Sequence, residues 1–265
     1  MGRIDVRFAE IRKRRGPALV AYVTAGDPDQ AASREILLAL ERGGADVIEV
    51  GVPFSDPIAD GPAIQRATER ALAAGGNLAR TLDLVADVRH TLTAPIVLFT
   101  YVNPILRMGA AAFVNRAAAA GVDGVLLLDL PIEESGEMSE ALRARDIDQI
   151  FLVSPTTTDA RLARAAALGR GFLYAISRLG VTGARDRVAT SAAPLAARLR
   201  SATTLPIAMG FGISKPEHVR AICDVADAAV VGSAIVQVIA DAAAAGRAPA
   251  PDVERFVRGL KTGVQ

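Results

Sequence analysis

Short apolar runs rich in β-branched residues alternate with Ala/Leu/Arg-rich stretches along the whole chain. The runs at 18–24, 47–51, 96–101, 124–128, 149–153, 172–176, 207–209 and 228–231 are apolar at nearly every position. Strands of a parallel sheet covered by helices have this character, whereas strands with one wet face alternate. Between them, stretches such as 30–41, 63–74, 110–120, 135–145, 159–168, 192–200 and 216–225 read as helices. Glycines punctuate the joins at Gly43-Gly44, Gly75-Gly76, Gly121 and Gly169, and Thr158-Asp159 and Ser214 mark helix starts. A further helical stretch, 77–92, lies between the second and third strands.

Eight strands separated by helices in 265 residues is the arithmetic of a (β/α)8 TIM barrel. A doubly wound open sheet shares the alternation, but it wants a Gly-rich fingerprint after the first strand. Here that position reads Thr24-Ala25-Gly26-Asp27-Pro28. With no linker and no shift in composition, a single domain over 1–265 is expected.

Hydrophobic residues make up 51% of the chain, enough for a large core, and the net charge of +1 offers nothing to nucleic acid or to a membrane surface. Arg12-Lys13-Arg14-Arg15, the one tight basic run, reads as a solvated helix end before the first strand. The single cysteine, Cys223, excludes an intrachain disulfide and reads as core. His90 and His218 are far apart in sequence, so no metal site is expected. No signal-peptide pattern opens the chain and no apolar run is long enough to span a bilayer, so a soluble, cytoplasmic protein is expected.

The chemistry is expected where TIM barrels keep it, at the C-terminal ends of the strands. A glutamate, Glu49, interrupts the apolar second strand, and eleven residues on, Asp60 closes a Gly/Pro-rich loop. Two readings of each stand at this point. Glu49 is either a paired structural charge or a catalyst whose burial raises its pKa. Asp60 is either the N-cap of the helix opened by Gly61-Pro62 or the second member of an acid–base pair. Gly210-Phe211-Gly212 and Gly232-Ser233 follow strands seven and eight. They are either plain turns or a phosphate cradle at a helix N-terminus. Gly180-Val181-Thr182-Gly183, after strand six, is either a lid or an ordinary loop.

The run Ile48-Glu49-Val50-Gly51-Val52-Pro53-Phe54-Ser55-Asp56-Pro57-Ile58-Ala59-Asp60-Gly61-Pro62-Ala63-Ile64-Gln65 closely resembles the signature of the tryptophan synthase α subunit family. Tyr22-Val23-Thr24-Ala25-Gly26-Asp27-Pro28, Asn103-Pro104-Ile105, Asp129-Leu130-Pro131, Ser154-Pro155-Thr156-Thr157, Gly180-Val181-Thr182-Gly183 and Gly210-Phe211-Gly212-Ile213 follow in the family's order. The resemblance implies retro-aldol cleavage of indole-3-glycerol phosphate to indole and glyceraldehyde 3-phosphate, without a metal or organic cofactor on this chain. It implies Glu49 as the acid–base residue and Asp60 as the carboxylate at the indole N–H. It also implies Tyr22, Ile64, Phe99, Leu126, Tyr174 and Thr182 around the substrate. Gly183, Phe211, Gly212, Gly232 and Ser233 fall at the phosphate, and Arg178 begins the lid. Asp56 falls on the face toward a pyridoxal-phosphate β subunit in an α2β2 complex, which would take up the indole. Tyr22 is often Phe in the family, which leaves its hydroxyl without an inherited role. A stand-alone lyase and a catalytically silent binder of β are the competing functions.

Overall fold

The computed structural model describes residues 2–14, 16–176, 185–210 and 212–262, with the backbone alone over 185–191. Its strands are β1 (Leu19–Thr24), β2 (Val47–Gly51), β3 (Ile96–Thr100), β4 (Gly124–Leu127), β5 (Asp148–Val153), β6 (Leu173–Ile176), β7 (Ile207–Gly210) and β8 (Ala228–Val231). They pair in parallel and in chain order, and β8 returns to β1 to close the barrel. All eight lie within one residue of the runs expected from the sequence.

Around and beyond them lie α1 (Arg3–Arg14), α2 (Gln30–Gly43), α3 (Pro62–Ala73), α4 (Leu78–Arg89), α5 (Val102–Met108), α6 (Ala110–Ala120) and α7 (Gly136–Arg143). Then follow α8 (Asp159–Leu168), α9 (Arg185–Ala202), α10 (Pro216–Cys223), α11 (Ser233–Ala244) and α12 (Pro249–Thr262). Successive strand residues face opposite sides. Leu19, Ile48, Val50, Ile96 and Leu98 therefore pack outward with the helices. Val20, Val47, Val97, Leu126, Ile150 and Phe172 fill the barrel itself.

The base of the barrel is plugged by α1. Its Ile4, Phe8 and Ile11 join the inner cluster, and the Phe8 ring lies 5.6 Å from that of Phe172. The other side of the helix clasps carboxylates at the strand starts. Arg3 reaches Asp123 at 2.7 Å, Arg12 reaches Asp227 at 3.5 Å, and Arg14 pairs with Asp46. Each of these carboxylates also accepts a backbone N–H that opens a neighbouring strand: Leu19, Ile96 and Ile207, each at 2.8 Å. The basic run is thus only partly the solvated helix end expected of it. A paired acceptor at a strand start relieves both the buried carboxylate and an N–H that would otherwise be orphaned. Lys261 of α12 reaches the same Asp46 and the Pro17 carbonyl, the latter at 2.9 Å. Helix α12 can approach α2 closely because Gly43 has no side chain: a Cβ there would stand 2.8 Å from Val257.

At the opposite rim, Asp27 is 1% exposed and holds Arg70 of α3 through two bonds of 2.7 and 2.8 Å. That fork fastens the loop after β1 to the helix that begins just beyond Asp60.

Candidate active site

Glu49 faces into the barrel because it shares parity with Val47, which lies in the inner cluster. In register it sits between Tyr22 of β1 and Val97 of β3. It is 0% exposed, and neither carboxylate oxygen has a hydrogen-bond partner among the described residues. The paired-charge reading is therefore not met. Burial without a partner penalises the charged form and pushes the pKa up to about 8. The group holds its proton at neutral pH and can release it.

Asp60 ends the loop that leads from β2 to α3. It is not the N-cap: Gly61 takes that position with no side-chain bond, and Pro62 begins the helix. Its carboxylate instead accepts the Tyr101 hydroxyl at 3.3 Å. Burial pushes its pKa up to about 6, and the Tyr101 bond opposes that rise. The Tyr22 phenol is held well above its ordinary value by burial first, then by Asp60 and, more weakly, by Glu49. Both carboxylates thus act on the Tyr22 phenol.

Aromatic rings line the space around these acids. Tyr22 meets Phe99 edge-on, with centroids 5.2 Å apart, and Phe99 lies 6.5 Å from Tyr174. Ile64 packs with Tyr22, Ala67 and Val236, while Leu126 is fully buried in the inner layer. Burial and the nearby Glu49 keep the Tyr174 phenol neutral. Gly51, two residues after Glu49, is required by this packing, since a Cβ there would fall 2.2 Å from the Tyr22 hydroxyl. A cluster of aromatic rings around one proton-bearing acid and one acid closer to ionisation suits a planar substrate that must gain and lose protons.

Beyond Tyr22 lie the glycines that follow β7 and β8. Gly212 takes φ +69°, which favours glycine, and open space surrounds its Cβ position. Gly232 caps α11 without a side-chain bond, and Ser233 is the first residue of that helix. The first-turn N–H groups of such a helix point at whatever lies before it. A Cβ on Gly232 would come within 3.4 Å of Tyr22, so this end adjoins the aromatic cluster. Arg178, Thr182, Gly183 and Phe211, with the rest of the candidate lid, lie outside the described residues. Asp56 is exposed on the rim and accepts the Ser55 hydroxyl at 2.6 Å.

Tyr101 was not among the residues singled out from the sequence. At the end of an apolar strand it reads as packing, and only the fold brings its hydroxyl to Asp60. Among the described residues no His/Cys/Asp/Glu group could hold a metal, and no helix is long and apolar enough to cross a membrane.

A family model for the tryptophan synthase alpha chain matches residues 8–265. The tryptophan synthase alpha chain of Laribacter hongkongensis is 51% identical, covering 98% of each chain. That of Solibacter usitatus is 48% identical over 99% of this chain and 98% of its own. Among solved structures, the tryptophan synthase alpha subunit of Legionella pneumophila superposes with TM-score 0.92 at 33% identity, covering 100% of this chain and 98% of that one. A chain of Mycobacterium tuberculosis tryptophan synthase in its aminoacrylate-bound form gives TM-score 0.89 at 34% identity, covering 100% of both.

Proposed function

This chain belongs to the tryptophan synthase alpha chain family and has its lyase activity, the cleavage of indole-3-glycerol phosphate, and we propose that Glu49 and Asp60 carry that reaction. Cleavage of the carbon–carbon bond requires the indole C3 to become electron-poor. Glu49, neutral at the working pH, gives its proton to C3. Asp60 accepts the indole N–H and balances the positive charge that grows on the ring. As the bond to the side chain breaks, the adjacent hydroxyl loses its proton to the Glu49 carboxylate, which returns to its starting state. Indole and glyceraldehyde 3-phosphate leave. The observation that carries this reading is the fully buried Glu49 carboxyl, unpartnered among the described residues, on the same barrel face as Asp60.

Tyr22, Ile64, Phe99, Leu126 and Tyr174 are proposed to hold the indole, with Thr182 closing over it. Gly183, Phe211, Gly212, Gly232 and Ser233 are proposed to hold the phosphate, and Arg178 to open the lid. These bond changes call for no electron sink on this chain, so pyridoxal phosphate is assigned to the β subunit alone. An alpha chain implies a β-subunit partner, and we take the complex as α2β2. Support for the docking face comes from the rim beside Asp60. Ile58 is 85% exposed and Leu106 62%, and a cavity of about 460 Å³ runs between Phe54, Leu72, Pro104 and Met108. Asp56 is proposed to lie on that face. We also propose a single functional domain over 1–265, working in the cytoplasm.

The test is indole release by the purified chain, alone and with β subunit added. Glu49→Gln and Asp60→Asn are expected to remove it in both settings. Turnover retained in both variants would transfer the assignment to a silent β-binder, and full activity without β would favour a stand-alone lyase.

A further inference from the structure

We propose that Tyr101 is a positioning residue for the reaction: its hydroxyl, donated to the Asp60 carboxylate, keeps that acid in its ionised form. The inference rests on the role given to Asp60 above. Tyr101 stands at the C-terminal end of β3, 3% exposed, as the N-cap of α5. Its backbone surroundings are fixed from the next strand, because the Val102 N–H donates to Asp129 at 2.8 Å. Its ring lies against that of Phe54, with centroids 5.2 Å apart, at the start of the loop that Asp60 ends.

The hydroxyl then engages the other end of that loop twice. It accepts the Ala59 N–H at 3.0 Å and donates to Asp60 Oδ2 at 3.3 Å. A phenol has one proton to give. With its oxygen occupied by Ala59, that proton is committed to the carboxylate. Burial, with Asp60 and Asp129 nearby, pushes the phenol up to about 12, so it remains a donor throughout the working range. The groups that face Asp60 are Tyr101 from the end of β3, Tyr22 from β1 and, through Tyr101, Asp129 after β4. All are neutral phenols or another acid. Among the described residues no cation offsets the burial of Asp60, and Tyr101 is its one side-chain donor.

Packing alone separates from positioning here, since phenylalanine would keep the stack on Phe54 and lose only the hydroxyl. The experiment is the pH dependence of kcat/KM for indole formation by the complex with β subunit. It compares the parent, Tyr101→Phe, a chain carrying 3-fluorotyrosine at 101, and Asp60→Asn. A hydrogen bond donated to a carboxylate favours its charged form, and the more so at good geometry. At 3.3 Å this bond is long, so the acid limb of Tyr101→Phe is expected to move up by about half to one pH unit, with the plateau largely kept. Fluorotyrosine, a stronger donor, should move the limb down. Asp60→Asn should be inactive at every pH. Equal loss at all pH values in Tyr101→Phe, with the limb unmoved, overturns the inference. If that variant fails to fold, an unmoved limb in the fluorotyrosine chain does so. Activity retained in Asp60→Asn overturns the Asp60 assignment instead.

Discussion

Glu49 and Asp60 differ in what opposes their burial. Among the described residues Glu49 has no donor and sits at about 8, while Asp60 keeps the Tyr101 hydroxyl and sits at about 6. If Glu49 must be protonated and Asp60 ionised, kcat/KM should follow a bell that rises near pH 6 and falls near pH 8. A profile flat across that window would remove both assignments. Loss of the proton donor in Glu49→Gln should lower turnover by at least ~10²–10⁴-fold. The same substitution should stabilise the fold, and the sign follows from linkage. The folded state raises the Glu49 pKa from 4.5 to about 8, so between those values it binds more protons than the unfolded chain and loses stability as pH rises. The melting temperature of Glu49→Gln should therefore exceed that of the parent by a margin that grows from pH 5 to pH 8 and then levels. A constant margin would mean the carboxyl is not buried as described. The sequence marked Glu49 as a lone acid inside an apolar strand, but with both faces apolar only the closed barrel shows that it points inward. What the sequence left open was whether a partner met it, because a partner would come from another strand.

At the level of elements, the strands were legible because their signal is local: a few consecutive apolar residues bounded by turns. Two helices, α5 and α12, were not, and of α1 only its basic end was. Helix α5 has seven residues including Pro104, too few to show a period. The apolar residues of α1 and α12 pack against surfaces that exist only once the barrel and α2 are in place. A repeated pattern does stand in the sequence before β2, β4 and β8: Ala45-Asp46, Val122-Asp123 and Ala226-Asp227. Its meaning depends on strand starts 27, 27 and 20 residues earlier. The plug itself can be tested with Phe8→Ala. Losing a fully packed aromatic ring should cost about 3–5 kcal/mol in urea unfolding, while the pH profile of the remaining folded enzyme keeps its shape. A loss below about 1 kcal/mol would show that α1 only covers the base.

Considered whole, the molecule is closed by α1 at one end of the barrel and carries its candidate chemistry at the other. The proposed docking face lies on that second rim, where Leu106 projects from α5, the helix that Tyr101 caps. A charge placed there should weaken β-subunit binding while leaving the acids untouched. Leu106→Glu is expected to raise the half-saturating β concentration about tenfold when indole formation is titrated. No change would move the docking face elsewhere. The closed end carries a different consequence, one of timing. Asp46 takes Arg14 from α1, but its second cation, Lys261, lies 215 residues further along the chain. At ribosomal speeds of about 5–20 residues per second, that interval is on the order of 10–40 s. Throughout it, of the two cations that reach this carboxylate among the described residues, only Arg14 has been made. The opening helix therefore acts as a brace for nascent chain, and its removal should lower the yield of native protein more during synthesis than during refolding of the finished polypeptide.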